Sequence, residues 1–561
     1  MLSLDKLKNI DTPARYTGGE ARQVIKNVSS IKNRVCVASP AMYELGMFDF
    51  DVKNIYYALN QRKDTWCERC FAPMPDFEKL LRMEDEPLYT LESKTALKDM
   101  DVIIFVLSTE MMYTNVLNML NLGKVPILKE RRKENYPLII LTGSAIINPK
   151  PLEKFADLFI VGESHLVLPY IIDKINENKG RAKELILDEL KDMPGVYVPE
   201  KTLGDVYYLK ELDIDRDLGP KSVVVPSIKT MIDKSLVVVS KGCDKNCVMC
   251  TNKFINGTVQ EMSVDKAYLK AKRLVDATGN TEVMFMANCY ADYSGFPDVI
   301  YKVQDLDKPK IKDVSFMEVK FTKDNLWLLK YMKNFDEPAS IIVGAPTENL
   351  QKIIGVGMKE DDVLFVAKKA FEAGFNKIRL KYIIGGPTET YEDLSKILVT
   401  ANKICKVYKE VYSKAPDKYI VNVNLYNFKA KPHTPSQWCA TNTAENFEIR
   451  QRYLKDKNKN EFVIFTEENG KQSVIETMLG RGDERVSEVL YEAWKQGARH
   501  DMLEPLFSYD SWQVALNKTG VDIKWYLQEL NEKKILPWDN IYVGTDKDEL
   551  RRIYINNIKG D

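Results

Sequence analysis

The stretch Ser240–Thr251 reads SKGCDKNCVMCT and sets Cys243, Cys247 and Cys250 in a C-x3-C-x2-C array. Just before it, Leu236-Val237-Val238-Val239 has the all-apolar character of a short buried strand, and Gly242 permits a sharp turn. Three thiols therefore sit on one loop at the end of a strand. A structural zinc site wants four ligands, usually in two close pairs, and this array offers no fourth. Iron–sulfur clusters are the other common use of grouped thiolates. Three thiolates on a [4Fe–4S] cube would leave one iron open to a further ligand. The competing reading is three unrelated core cysteines. With nine cysteines in 561 residues, this spacing arises by chance in roughly one chain in several hundred.

A C-x3-C-x2-C loop after a strand resembles the signature of the radical S-adenosylmethionine (radical SAM) superfamily. The resemblance implies that the open iron chelates the amino and carboxylate groups of SAM. One electron then cleaves the S–C5′ bond, and the 5′-deoxyadenosyl radical abstracts hydrogen. It implies a low-potential partner, a flavodoxin or ferredoxin, because cluster potentials extend to about −700 mV. It also assigns residues. Met249 takes the place of an aromatic whose backbone helps hold adenine. Where relatives often carry a G-G-E-like grip on the SAM amino group, this chain has Asn288-Cys289-Tyr290-Ala291-Asp292. Asn288 and Asp292 are the candidates there, against a solvated-loop role. Glu348 falls where related sequences put a carboxylate near SAM, against a helix-start role. IIGGPTET (Ile383 to Thr390) resembles the G-x-I-x-G-x-x-E segment that packs on adenine. Gly385 and Gly386 allow that approach because they lack Cβ, and Glu389 is expected to fix the turn.

From Leu236 to about Phe428 the chain reads as six strand–helix units. The strands fall near 236–240, 282–286, 314–316, 340–343, 377–384 and 419–425. This is an open, six-unit β/α barrel, with chemistry expected at the carboxyl ends of its strands. The sixth strand carries Asn422, Asn424 and Asn427 and runs into KPHTPSQW (Lys431 to Trp438), which should roof the site. His433 in that loop is a candidate proton donor or acceptor, or a structural hydrogen bond.

Upstream, a second α/β rhythm begins at Arg34. Strands are expected at 34–40, 69–73, 101–108, 137–143 and 156–163, with helices between. The fold class is α/β: an N-terminal doubly wound, flavodoxin- or Rossmann-like parallel sheet ahead of the barrel. Ligands of such sheets bind outside the carboxyl ends of the strands, here marked by Ser39, Tyr43, Gly46, Ser108, Gly143, Ser144 and Gly162. This order resembles the cobalamin-binding class of radical SAM proteins. It is most similar to one subfamily with segments like PARYTGGE (Pro13 to Glu20), YELGM, FAPMPDFEKLL, YTNVLNMLNL and KPHTPSQW. That class implies cobalamin, with Ser39, Gly143 and Gly162 as cofactor-binding positions. Many such domains supply an axial histidine from D-x-H-x-x-G; His165, His433 and His500 all lie outside that context. Cobalamin bound without a protein histidine, and a domain that holds something else, both stay open. Cys36, Cys67 and Cys70 offer an auxiliary cluster, as in methylthiotransferases, or core packing.

The domains are expected at 1–32 (lead-in), 33–178, 179–232 (a linker with a hairpin from GVYVPE and DVYYLKE), 233–435 and 436–561. The last is a small α/β or helical cap, with Arg481, Arg485 and Arg499 as candidate anion contacts or solvated charges. Lysine plus arginine equals aspartate plus glutamate at 81 each, so no global pull toward nucleic acid exists, although a local basic patch stays open. Nine scattered cysteines and an N-terminus without an apolar h-region point to the cytoplasm, and no apolar run approaches a membrane span. The leading expectation is a cobalamin-dependent radical SAM methyltransferase acting on an unactivated carbon. The alternatives are a non-methylating radical SAM enzyme (cyclisation, rearrangement or methylthiolation) and a non-enzymatic cluster-containing binding module.

Overall fold

The computed structural model describes residues 4–132, 135–216, 219–221, 223–287, 293–304, 311–332, 335–413, 416 and 418–560. The N-terminal sheet contains β1 (Asn33–Ser39), β2 (Thr65–Phe71), β3 (Val102–Val106), β4 (Leu138–Thr142), β5 (Leu158–Ile160) and β6 (Val196–Tyr197). Its order is β2-β1-β3-β4-β5-β6, with the first five strands parallel and β6 antiparallel at the edge. This is the flavodoxin-like winding expected from the α/β rhythm. The sequences VIIFV and LIILT are buried at every position, as strands covered on both faces must be. The helices Phe50–Asn60, Pro75–Met83, Tyr113–Leu122 and Leu168–Glu177 cover them.

Charge, as well as apolar area, ties the lead-in to this sheet. Arg69 on β2 is buried between two carboxylates. Its Nε donates to Glu92 at 2.7 Å, and another nitrogen donates to Glu20 of the PARYTGGE segment. The Tyr43 hydroxyl also donates to Glu20, and the guanidinium stands 5.2 Å from the Tyr56 ring centre. A buried guanidinium with two acceptors is tolerable because each charge is answered.

The expected linker hairpin is not formed. β6, from GVYVPE, completes the edge of the first sheet against β5. β7 (Val206–Tyr207), from DVYYLKE, instead pairs in parallel with the distant strand Ile541–Tyr542. β6 thus takes an open sheet edge, whereas β7 and Ile541–Tyr542 form a two-stranded pair of their own.

The second unit contains β8 (Ser235–Val238), β9 (Ser240–Lys241), β10 (Gln260–Glu261), β11 (Glu282–Met286), β12 (Asp313–Phe316), β13 (Ala339–Gly344), β14 (Ile378–Ile384), β15 (Val421–Asn427) and β16 (Val463–Glu467). Parallel pairing runs through β12-β11-β8 and through β13-β14-β15-β16, and a parallel bridge from Lys320 to Ser340 joins the two runs. The barrel sheet thus extends one strand past the six expected, because EFVIFTE pairs with β15 rather than with the C-terminal segment. On β14, Ile378, Leu380, Tyr382 and Ile384 are buried, while Arg379, Lys381 and Ile383 on the other face are half-exposed. That period of two buries one face against helices and leaves the barrel's inner face partly open.

The C-terminal helices Gly470–Gly480, Arg485–Lys495 and Tyr509–Thr519 share a core with the first sheet, through Met119, Ile146, Met478, Val489 and Trp512. Asn148 Nδ2 donates to the Gly480 and Gly482 carbonyls, and the Thr114 hydroxyl donates to Asp501. Among the described residues no helix is long and apolar enough to cross a membrane.

Replacing Arg69 with Met leaves Glu20 and Glu92 buried without a counter-charge. The expected loss is about 3–5 kcal/mol of stability, measured by chemical denaturation; a loss below about 1 kcal/mol would show that the ion cluster does not hold the lead-in.

Candidate functional site at the barrel rim

The cysteine loop begins where β8 gives way to β9. Gly242 has φ +79°, and a Cβ there would run into the Thr258 carbonyl oxygen, so this turn requires glycine. The β9–β10 antiparallel pair closes its base, and the Cys243 N–H donates to the Gly257 carbonyl at 3.0 Å. The middle of the loop is held from two sides. The Val248 N–H donates to the Ile354 carbonyl at 2.9 Å, and the Ser436 N–H donates to the Val248 carbonyl at 3.0 Å. Cys250 immediately precedes the helix Thr251–Asn256. Cys243 is buried, Cys247 half-buried and Cys250 exposed.

Burial pushes the Cys243 thiol up, and the nearby Cys250 sulfur adds to the rise. Cationic iron beside such sulfurs would reverse that cost. Among the described residues no three Cys, His, Asp or Glu side chains converge as they would on a single metal ion. A cube takes each thiolate on a different iron, so its three sulfurs stand apart. A soft, thiol-only donor set on one glycine-turned loop fits a cluster better than a lone cation.

Behind the loop, Val248, Phe254, Phe428, Trp438, Trp538 and Tyr554 form an apolar wall, with Met249 and Ile383 packed on it. Gly385 has φ +76°. Its N–H donates to Glu389 Oε1 at 2.9 Å, Asn442 Nδ2 donates to its carbonyl at 2.6 Å, and Arg450 Nε reaches Glu389 at 3.2 Å. Burial pushes Glu389 up to about 7, with the Gly385 N–H and Arg450 opposing. Glu389 therefore fixes the turn. Gly385 and Gly386 line a cavity of about 390 Å³ whose other wall includes Cys439, Tyr554 and Lys559. Glu348 lies exposed at the start of the helix Glu348–Ile354. Ile354, which grips Val248, is six residues further on, about 9 Å along the axis. Asn288 and Asp292 lie outside the described residues. On β15, Asn422 accepts from the Thr466 hydroxyl, Asn427 is buried against Glu468 and Ser473, and Asn424 Oδ1 is buried with no partner among the described residues.

The loop after β15 carries a charge cluster that the sequence reading missed. Lys429 pairs with Glu468 at 2.7 Å and Glu476 at 2.8 Å, and Lys431 pairs with Glu476 at 2.9 Å. Burial opposes ionisation of Glu476, but the two lysines hold it down to about 2. Glu110, from the loop after β3, is buried beside Lys431; burial pushes it up and Lys431 pulls it back. The alternation of Lys429 and Lys431 after an asparagine-rich strand was the available signal. Its carboxylate partners lie up to several hundred residues away.

None of the histidines is presented as a ligand. The His433 Nε2–H donates to the Ile147 carbonyl at 2.9 Å, and burial lowers its pKa to about 4. The His500 Nε2–H donates to the Pro73 carbonyl at 2.9 Å. His165 sits 3.9 Å from Glu163, and Glu163 receives Lys241 of β9 at 2.9 Å, joining the first sheet to the base of the cysteine loop. At the other strand ends, Ser39 Oγ is buried with no partner among the described residues, while Ser144 is exposed and donates to the Ser108 carbonyl at 3.0 Å. Tyr43 is buried, and a Cβ on Gly46 would strike the Phe71 ring. Gly143 and Gly162 have φ +111° and +110°, and a Cβ on either would strike the Leu107 or Leu209 carbonyl oxygen. The close approach that these glycines permit is taken by the chain's own backbone.

Geometry also narrows two alternatives that the sequence left open. Cys36 and Cys70 share one face of the first sheet, while Cys67 packs into the core on the opposite face. Residues three apart on a strand point to opposite sides, so these thiols cannot grip one auxiliary cluster. Arg481 is buried and donates to the Cys439 and Gln528 carbonyls, Arg499 donates to the Trp494 and Ala498 carbonyls, and Arg485 pairs with Asp483 at 2.7 Å. All three brace the C-terminal segment.

Residues 51–199 match the family described as "Radical SAM proteins, N-terminal", and residues 237–401 match "Radical SAM superfamily". The chain belongs to the radical SAM superfamily. A relative from Methanocaldococcus jannaschii, "Uncharacterized protein MJ0966", is 24% identical over 412 residues, covering 72% of this chain and 82% of that protein. Among solved structures, the radical SAM methyltransferase TsrM from Kitasatospora setae, bound to cobalamin and a [4Fe–4S] cluster, aligns over 73% of this radical SAM chain and 74% of its own, at 11% identity and TM-score 0.46. The same enzyme with tryptophan and a SAM analogue aligns over 72% and 75%, at 12% identity and TM-score 0.45. HydG, a maturase of the [FeFe]-hydrogenase, aligns over 58% and 82%, at 13% identity and TM-score 0.25.

The raised Glu389 gives this radical SAM chain a pH signature. A carboxyl whose folded pKa (about 7) exceeds its unfolded value of 4.5 contributes stability below pH 4.5 that is lost as pH rises through 7. Against Glu389→Gln, the wild-type apoprotein should lose about 2–3 kcal/mol between pH 4.5 and 7.5. Parallel urea curves with a constant wild-type–variant difference would contradict it.

Proposed function

We propose that this radical SAM enzyme holds a [4Fe–4S] cluster through Cys243, Cys247 and Cys250 and uses it to cleave SAM, as a cobalamin-dependent methyltransferase acting on an unactivated carbon. The observation that carries the first part is the cysteine loop itself, fixed by Gly242 at its start and by Val248 at its middle, at the carboxyl rim of a parallel barrel sheet. When bound, the cluster and SAM supply a 5′-deoxyadenosyl radical, made with one electron from a low-potential donor such as a flavodoxin or ferredoxin. The protein's own work is positional. The apolar wall of Trp438, Trp538 and Tyr554 keeps water from the loop, and the space that a Cβ on Gly385 would fill is taken by Phe447 and Asn442. Lys429, Lys431 and Glu476 fix the roof loop beside Glu110, which burial pushes up and Lys431 pulls back.

For cobalamin, which would supply the methyl group, the chain offers hydroxyls rather than an imidazole. Ser39, with its unpartnered hydroxyl, and the exposed Ser108 and Ser144 mark the ends of β1, β3 and β4. This fits a cobalamin held without a protein histidine, and leaves the end of β5 closed by Leu209. The second reading, a radical reaction without methyl transfer, is favoured by that closure.

Anaerobic reconstitution should give a brown protein with about four irons per chain that forms 5′-deoxyadenosine from SAM and dithionite. Cys243→Ala, Cys247→Ala and Cys250→Ala should each abolish both the chromophore and the product; a fully active single variant would refute the assignment. Reconstitution with hydroxocobalamin separates the two readings: stoichiometric retention supports methyl transfer, and none removes it.

A further inference from the structure

A second cavity, of about 400 Å³, lies away from the barrel rim. It opens between the first turn of the helix Phe50–Asn60, the linker residues 223–235 and the helix Val264–Thr278. Leu236 at the start of β8 forms part of its wall, so it sits at the opposite end of that strand from the cysteine loop. It is far too small for a corrin, and inside the size range of small-molecule pockets.

Its chemistry is unusual for a gap between domains. Phe50, Val223, Ile228 and Leu274 give part of the wall an apolar face, and Thr230, Ser235, Thr278 and Asn280 are polar. The charged groups facing it are Lys53, Lys229, Lys234, Lys270 and Asp233. Lys234 is answered by Asp313 at 2.7 Å, and Lys270 lies over the Phe50 ring at 5.3 Å. Asp233 spends its carboxylate on the Thr230 N–H and hydroxyl. The Lys53 ammonium makes no hydrogen bond or ion pair to a described residue. The nearest carboxylate, Asp49, caps its own helix through Asp51 and Val52, and burial pushes Lys53 down to about 8. A desolvated ammonium without an acceptor is costly, and a bound anion would remove that cost.

We propose that this cavity binds a small amphipathic anion, a carboxylate with an apolar body, whose charge is received by Lys53 and whose body lies against Phe50, Val223 and Leu274. The site is separate from the SAM chemistry and does not rest on it.

The test uses the full-length protein and titrates decanoate by calorimetry, with decanol as the uncharged control. Decanoate should bind at one site and decanol at least tenfold more weakly. Binding should take up protons near pH 8.5, seen as a dependence of the heat on buffer ionisation, because an anion raises the Lys53 pKa. Lys53→Met should weaken decanoate at least tenfold while leaving decanol unchanged. No saturable decanoate binding, equal affinity for decanol, or an unchanged Lys53→Met affinity would each overturn the proposal. If Lys53→Met does not fold, absence of proton uptake by the wild type overturns it on its own.

Discussion

Val248 is held through both its backbone groups: the N–H goes to the carboxyl end of a helix after β13, and the carbonyl receives the roof loop after β15. A residue between the second and third cysteines is thereby tied to two other strand–helix units of the barrel. Neither bond is strong alone, at roughly 1 kcal/mol net. Their value is geometric, since a loop carrying three thiols has many more loose conformations than useful ones. Gly355, with φ +75° beside the Asn246 carbonyl, allows the helix end to come close enough for the first bond. Much of the surrounding apolar wall serves to keep water off these two contacts.

The two parallel sheets were legible because their strands obey local rules. Nearly all-apolar runs marked β3 and β4. Glu282–Met286 was located to the residue. The cysteine loop was legible from spacing alone. What failed was nonlocal. β7 pairs with a strand more than three hundred residues downstream, and nothing in DVYYLKE announces that partner. EFVIFTE has the apolar and β-branched residues of a strand, but nothing in them says which sheet it joins. The same limit hid Glu110 and Glu476 beside Lys431, since an ion cluster assembled from three elements leaves no motif. Gly143 and Gly162 show the converse: a glycine at a strand end signals close approach without saying whether a ligand or the chain itself comes near.

The first sheet is joined to the barrel by chemistry at several depths. Lys241 on β9 reaches Glu163 at the end of β5, and His433 of the roof loop donates to the loop after β4. Both connections begin within a few residues of the cysteine loop or its roof. Buried His433 stays neutral through the physiological range, so this second tie does not loosen with modest acidification.

The wall behind the cysteine loop draws Trp538, Leu550 and Tyr554 from the far C-terminal segment, and β7 waits for the same segment to pair. During synthesis the three thiols leave the ribosome well before the side chains that shelter them. A nascent chain halted ahead of Trp538 lacks this wall, so the loop reaches its native surroundings only once the C-terminal segment has emerged.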